Sequence, residues 1–172
     1  VLVGFMGSGK TTVGRELARI LGWGYRDLDR WIEERTGLTV AQIFRERGEP
    51  AFREEERCAA LEAARLRRHV VSAGGGAFAQ PATRAALSRG AVTVWLRCRL
   101  ETLLKRVPQD GSRPLAVDRE TIRRLLAERE PSYRLADLVV DTDEGTPSTA
   151  ARRIVKLVRR DEVRRARGSR GR

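Results

Sequence analysis

Gly4-Phe5-Met6-Gly7-Ser8-Gly9-Lys10-Thr11 joins the apolar run Val1-Leu2-Val3 to segment 10–21, where Val13, Leu17, Ala18 and Leu21 recur at helical spacing. The octet fits G-x-x-x-x-G-K-[ST], and its place between a strand and a helix separates a phosphate-binding loop from a chance glycine-rich turn. Such a loop turns backbone N–H groups toward phosphate oxygens, and the helix N-terminus behind it adds positive potential. Lys10 has the reach for the outer phosphates, and the Thr11 hydroxyl suits a magnesium ion. Gly7, Ser8, Gly9, Lys10, Thr11 and Thr12 are therefore the candidate nucleotide contacts. A plain turn would explain neither Lys10 nor Thr11. No N-K-x-D guanine signature follows, which argues against a GTPase and leaves ATPases and small-molecule kinases.

Outward from this loop, strand and helix patterns alternate. Gly22 and Gly24 bracket a turn, 25–29 reads as a second strand ending in acids, and a helix is expected over 30–35. Thr39 can cap a short helix through Phe44, and Pro50 suits the first turn of a longer one ending near Arg68. Val70-Val71-Ser72 is a buried-strand candidate, and Gly74-Gly75-Gly76 follows it. Segment 91–96 is rich in β-branched and aromatic residues and reads as a strand, with a helix expected over 100–107. Segment 108–118 lacks periodicity and reads as a loop. Further helices are expected over 118–129 and 149–163, with a strand at 138–141 between them and a turn starting at Pro131. Five strands alternating with helices predict an α/β fold, a parallel sheet covered on both faces, whose ligands bind at the carboxyl ends of the strands.

Those ends carry the remaining chemistry. In Asp27-Leu28-Asp29, alternate residues can aim one carboxylate at a metal and the other at a substrate hydroxyl; the plainer reading is a helix-capping acid beside a surface acid. Arg53 and Glu56 share a helix face at i,i+3, either as a solvated ion pair or as a carboxylate-binding guanidinium with its support. Three successive glycines at 74–76 let the backbone approach closely where a Cβ would clash.

G-x-x-G-x-G-K-T, D-x-D, F-R-x-x-E, G-G-G, R-P-L and R-x-P-x-Y occur in this order, and the ordered set resembles the shikimate kinase family to about Val158. The resemblance implies a three-layer, nucleoside-monophosphate-kinase-like phosphate-loop fold, with a five-stranded parallel sheet in order 2-3-1-4-5 and a mobile lid. It implies ATP- and Mg²⁺-dependent phosphorylation of shikimate at its 3-hydroxyl, in chorismate and aromatic amino-acid biosynthesis. By position, Asp29 would bind shikimate hydroxyls, Arg53 and Arg129 would clamp its carboxylate, and the Gly74, Gly75 and Gly76 segment would offer backbone contacts. Glu56 would hold Arg53, Phe44 and Phe52 would line the acceptor pocket, and Asp27 would support the metal. Arg113 would be the lid arginine over the phosphates, Arg106 would stack on adenine and Pro147 would flank it. Thr11-Thr12 stands where the family often has Ser-Thr, which keeps the hydroxyl. A gluconate-type kinase shares the phosphate loop but lacks the G-G-G and F-R-x-x-E combination.

Composition sets the remaining bounds. The chain's 172 residues, 41% hydrophobic, suffice for one core, so a single domain is expected over 1–160, with an acceptor region at about 30–60 and a lid at about 107–118. Cys58 and Cys98 lack any C-x-x-C spacing and read as reduced thiols; His69 is the single histidine, with nothing nearby to suggest a zinc site or a triad. No apolar run approaches the roughly 18 residues of a membrane span, so a cytoplasmic protein is expected; a monomer is a separate expectation. The chain opens on Val1 rather than Met, which leaves a longer natural chain open. The net charge of +12 raises the question of nucleic acid, but residues 159–172 hold seven arginines against two acids and so supply +5 of it. The tail 161–172 is expected to be disordered, and no nucleic-acid partner is expected; a nucleic-acid-binding ATPase module is the rival reading from another class.

Overall fold

The computed structural model describes residues 1–107 and 118–168. Five parallel strands form one sheet: β1 (Leu2–Val3), β2 (Gly24–Asp27), β3 (His69–Ser72), β4 (Val94–Arg97) and β5 (Leu138–Asp141), in the order β2-β3-β1-β4-β5. The order expected from the resemblance is the observed one. Register pairs Leu2 with both Ser72 and Val94, so β1 sits at the centre and its carboxyl end opens between β3 and β4. Asp27 pairs with Ser72 and Asp141 with Arg97, which aligns the functional strand ends along one edge.

Side chains alternate across the sheet, and each strand feeds two cores. Leu2, Val70, Val94, Leu96 and Val140 pack on one side against Val13 and Leu17 of α1 (Lys10–Leu21) and Ala151 and Ile154 of α7 (Pro147–Gly168). Val3, Val71 and Trp95 face the other side. There they meet α2 (Leu28–Thr36), α3 (Val40–Ala63), α4 (Pro81–Ser88), α5 (Leu100–Arg106) and α6 (Arg119–Tyr133). This is the three-layer arrangement that parallel crossovers require.

Several boundaries differ from the sequence reading for identifiable reasons. β2 stops at Asp27, not at 29, because Leu28 is fully buried as the first residue of α2; Asp29 thus sits in that helix's first turn. The two helices expected around Thr39 and Pro50 form one helical run interrupted at Gly48, whose φ of 79° and ψ of 171° only glycine adopts readily. Thr39 closes a capping box with Gln42 at the start of this run. The run ends at Ala63 rather than near Arg68. α6 continues through Pro131 to Tyr133, because Tyr133 is fully buried and its packing outweighs the lost backbone hydrogen bond. α7 begins at Pro147 and runs to Gly168, so the first part of the segment expected to be disordered continues the helix. Among the described residues no helix is long and apolar enough to cross a membrane.

Candidate active site

The phosphate loop turns at Gly7 (φ 79°) and Gly9 (φ 90°), left-handed conformations that favour glycine, and α1 starts directly at Lys10. Gly4 has a second constraint: a Cβ there would stand 2.7 Å from the Leu96 carbonyl oxygen of neighbouring β4. Lys10 bends back across the loop, and its Nζ donates to the carbonyls of Gly4 (2.9 Å) and Phe5 (2.8 Å). A cavity of about 240 Å³ opens here, walled by Gly7, Gly9, Lys10, Thr11, Thr12, Asp27 and Arg106. Ser8 does not line it: its side chain is fully buried beneath the loop, near Gly4.

The two acids after β2 have different surroundings. Asp27 occupies the N-cap position of α2, yet its carboxylate makes no cap hydrogen bond. It turns instead toward the phosphate loop, where Oδ2 accepts from the Thr11 hydroxyl at 2.9 Å. The capping role is thus excluded for Asp27. Behind this pair, the Tyr25 hydroxyl lies 3.2 Å from Asp27 Oδ2 and 3.0 Å from Ser72 Oγ, and Ser72 donates to the Lys10 carbonyl at 3.0 Å. Burial pushes the Tyr25 hydroxyl up to about 12, so it remains a proton donor in this network. Asp29, two residues on in the first turn of α2, borders both the phosphate cavity and the cavity beside it.

That second cavity is lined by Asp29, Arg53, Glu56, Gly75, Gly76 and Arg129, with Phe44 and Phe52 forming its apolar wall. The two rings stand 4.8 Å apart and tilted. Arg53 Nη1 donates to Glu56 Oε2 at 2.7 Å, and its Nε and Nη2 both reach Glu49 Oε1. A solvated surface pair does not fit, because the Glu56 side chain is 1% exposed and that of Arg53 only 17%. Burial raises the pKa of Glu56 despite the pull of Arg53, and the Asp29 carboxylate adds to the rise. Arg129 is buried in the same wall, its guanidinium 5.7 Å from the centre of the Phe5 ring.

The glycine triplet is needed by this packing. A Cβ on Gly74 would lie 2.7 Å from both Asp29 Oδ1 and Glu56 Oε1, and one on Gly76 would lie 2.6 Å from Arg53 Nη1. None of the three has a positive φ, so close approach of charged side chains, not backbone conformation, explains Gly74 and Gly76; a Cβ on Gly75 would make ordinary contacts of 3.4 Å and more.

Arg106 reaches the Asp143 carbonyl at 3.3 Å and flanks Gly7, at the edge of the phosphate cavity. Pro147 is exposed at the first turn of α7, apart from both cavities. Arg113 lies outside the described residues. The sequence reading missed Met6, which lines both cavities, and Val40, which lines the acceptor side. It also missed Tyr133, whose buried hydroxyl donates to the Gly75 carbonyl and ties α6 to the triplet. R-x-P-x-Y carried that tyrosine in plain view, but nothing local gave it a partner 58 residues away. Tyr25 and Ser72 were passed over for the same reason, being 47 residues apart.

Comparison with known proteins bears on this arrangement. Residues 6–159 match the family model described as shikimate kinase. The chain is 48% identical over 161 residues to a shikimate kinase of Moorella thermoacetica, covering 92% of this chain and 93% of that protein. A shikimate kinase of Caldanaerobacter subterraneus is 40% identical, with coverage of 91% and 93%. Among solved structures, a shikimate kinase from Acinetobacter baumannii in complex with shikimate superposes with a TM-score of 0.90 at 37% identity, covering 93% of this chain and 92% of that one. With a parallel sheet in 2-3-1-4-5 order, a phosphate loop beside an arginine-lined cavity, and relatives matched along nearly their whole length, the chain belongs to the shikimate kinase family.

Proposed function

We propose that this chain transfers the γ-phosphoryl group of ATP to the 3-hydroxyl of shikimate, forming shikimate 3-phosphate and ADP on the route to chorismate and the aromatic amino acids. The observation that carries the reading is the shared wall: Met6, Asp29 and Gly75 border both the phosphate cavity and the arginine-lined one. A hydroxyl held by Asp29 would then face the outer phosphates. The acceptor's carboxylate suits Arg53 and Arg129, since a guanidinium donates two parallel hydrogen bonds to such a group. Its ring suits Phe44 and Phe52. The relative from Acinetobacter baumannii was solved with shikimate, which supports the same acceptor here.

Phosphoryl transfer through a loose transition state asks for alignment and positive charge more than for covalent chemistry. Lys10 supplies charge at the loop, Asp29 orients the attacking oxygen and takes its proton late, and Glu56 fixes the Arg53 fork. Arg106 and Pro147 flank the nucleotide base, and Arg113 adds charge over the phosphates; these three roles rest on the resemblance. The Thr11 hydroxyl and Asp27 carboxylate, 2.9 Å apart beside the loop, are hard oxygen donors of the kind Mg²⁺ takes. When held by Thr11 and Asp27, that ion would supply positive charge against the phosphates. A cytoplasmic monomer is part of the same proposal.

ADP release by the purified protein with ATP and Mg²⁺ tests the reading, with shikimate, gluconate, nucleoside monophosphates or no acceptor added. Strong stimulation by shikimate alone is expected. Stimulation by gluconate instead would reassign the acceptor, and none by any acceptor in folded, ATP-binding protein would overturn the proposal.

A further inference from the structure

We infer that the outer face of α7 is a sequence-independent binding surface for the phosphodiester backbone of nucleic acid. The helix sorts its residues sharply. Ala150, Ala151, Ile154, Leu157 and Val158 face the core beneath it. At about 100° per residue, Arg152, Arg153, Lys156, Arg159 and Arg160 fall within one arc of about 140° on the opposite side, and the register carries the positions of Arg164 and Arg167 into the same arc. The two acids of this helix, Asp161 and Glu162, fall outside it.

The first five of these basic residues are all exposed, and among the described residues no ion pair joins any of them to a carboxylate. Among the described residues, exposed arginines without an ion pair occur elsewhere too, Arg15, Arg30 and Arg47 among them, but on separate helices rather than gathered on one face. Glu16 of α1 faces this side near Arg152, but its carboxylate is engaged by Arg19.

The stripe from Arg152 to Arg167 is about 22 Å long at 1.5 Å per residue, the span of about six phosphates at 3.4 Å per nucleotide along one strand. All but one of its seven basic residues are arginines, whose planar fork pairs with phosphate oxygens in a way a lysine ammonium does not. An anionic membrane is the less favoured partner. A surface helix that enters lipid needs a free apolar face, and that of α7 is occupied by the core. α7 also starts after the carboxyl end of β5 and runs back along the sheet beside α1, with which it packs. The 22-residue α7 is about 33 Å long and the 12-residue α1 about 18 Å, so the far part of the stripe extends away from the phosphate loop. Nucleic acid bound there would leave the acceptor cavity open.

The test is fluorescence anisotropy of a labelled 20-bp DNA duplex of mixed sequence, titrated with the full chain between 50 and 200 mM salt. Binding at the lowest salt is expected, with a slope of log K against log[salt] of about −5 to −6. The variant Arg152→Gln/Arg159→Gln/Arg160→Gln should bind at least about tenfold more weakly and flatten the slope by about 2.7, with unchanged melting temperature and shikimate-dependent turnover. Absence of binding at 50 mM salt, or equal binding by the variant, would overturn the inference. So would capture by vesicles of phosphatidylserine and phosphatidylcholine without binding to the duplex.

Discussion

Asp29 is the residue on which the two cavities meet, and its replacement tests the division between them. Asp29→Asn should lower kcat by about 10²-fold or more while leaving nucleotide affinity unchanged, as read by turnover and by titration with a fluorescent ADP analogue. Equal loss of nucleotide binding would contradict the division. Tyr133→Phe removes the donor to the half-buried Gly75 carbonyl and should destabilise the protein by about 0.5–1.5 kcal/mol, raising KM for shikimate more than it lowers kcat. Glu56 offers a pH test. Its folded pKa is raised by burial, so the folded state holds its proton more tightly than the unfolded one. The stability that this group contributes is full below the ordinary carboxylate range and is lost as pH rises through the raised value. The melting temperature of Glu56→Gln should therefore improve relative to the parent as pH rises from 4 to 7, and an opposite trend would show that Arg53 governs the ionisation. At this scale the sequence was legible wherever chemistry is local: the phosphate loop, the D-x-D pair and F-R-x-x-E are read from spacing. Tyr133 and Tyr25 were not, because each matters through a partner that the fold brings from far along the chain.

Between residues and fold stand the elements, and here proline and glycine were read with unequal success. Pro50 correctly marked a new helical start, because the strained residue is Gly48 just before it. Pro131 wrongly suggested a stop, because the core packing of Tyr133 is a tertiary fact. Gly48→Ala isolates conformational strain: a Cβ there would have room, its nearest neighbour being Pro50 Cδ at 3.6 Å, yet φ is 79°. A loss of about 1–3 kcal/mol is expected in chemical denaturation, and a neutral result would mean that the helix mends across the break. Gly74→Ala acts through space instead. Its Cβ would press on Asp29 and on the buried Glu56, both side chains of the acceptor wall, so affinity for shikimate and melting temperature should fall together.

Across the whole molecule, alternation along β1, β3 and β4 divides the interior into two cores, which is why the strand pattern predicted a covered parallel sheet so readily. Charge was harder to read. The arginines near the carboxyl end looked like a disordered tail, since composition does not reveal that a helix runs through them and collects them on one side. The packed part of α7 ends near Val158. A chain ending at Arg160 should therefore keep its melting temperature within a few degrees and its turnover unchanged; a large loss of either would show that the outer turns of α7 support the core.

The break at Gly48 divides the acceptor wall into two parts of different chemistry. Arg53 and the buried Glu56 stand after the break, whereas Val40 and Phe44 stand before it, held to the core by the fully buried Ile43. For inhibitor design, this makes the charged half of the pocket the anchor and the apolar half the direction of growth. Substituents extended toward Phe44 meet an apolar surface, while substituents toward Glu56 meet a buried ion pair.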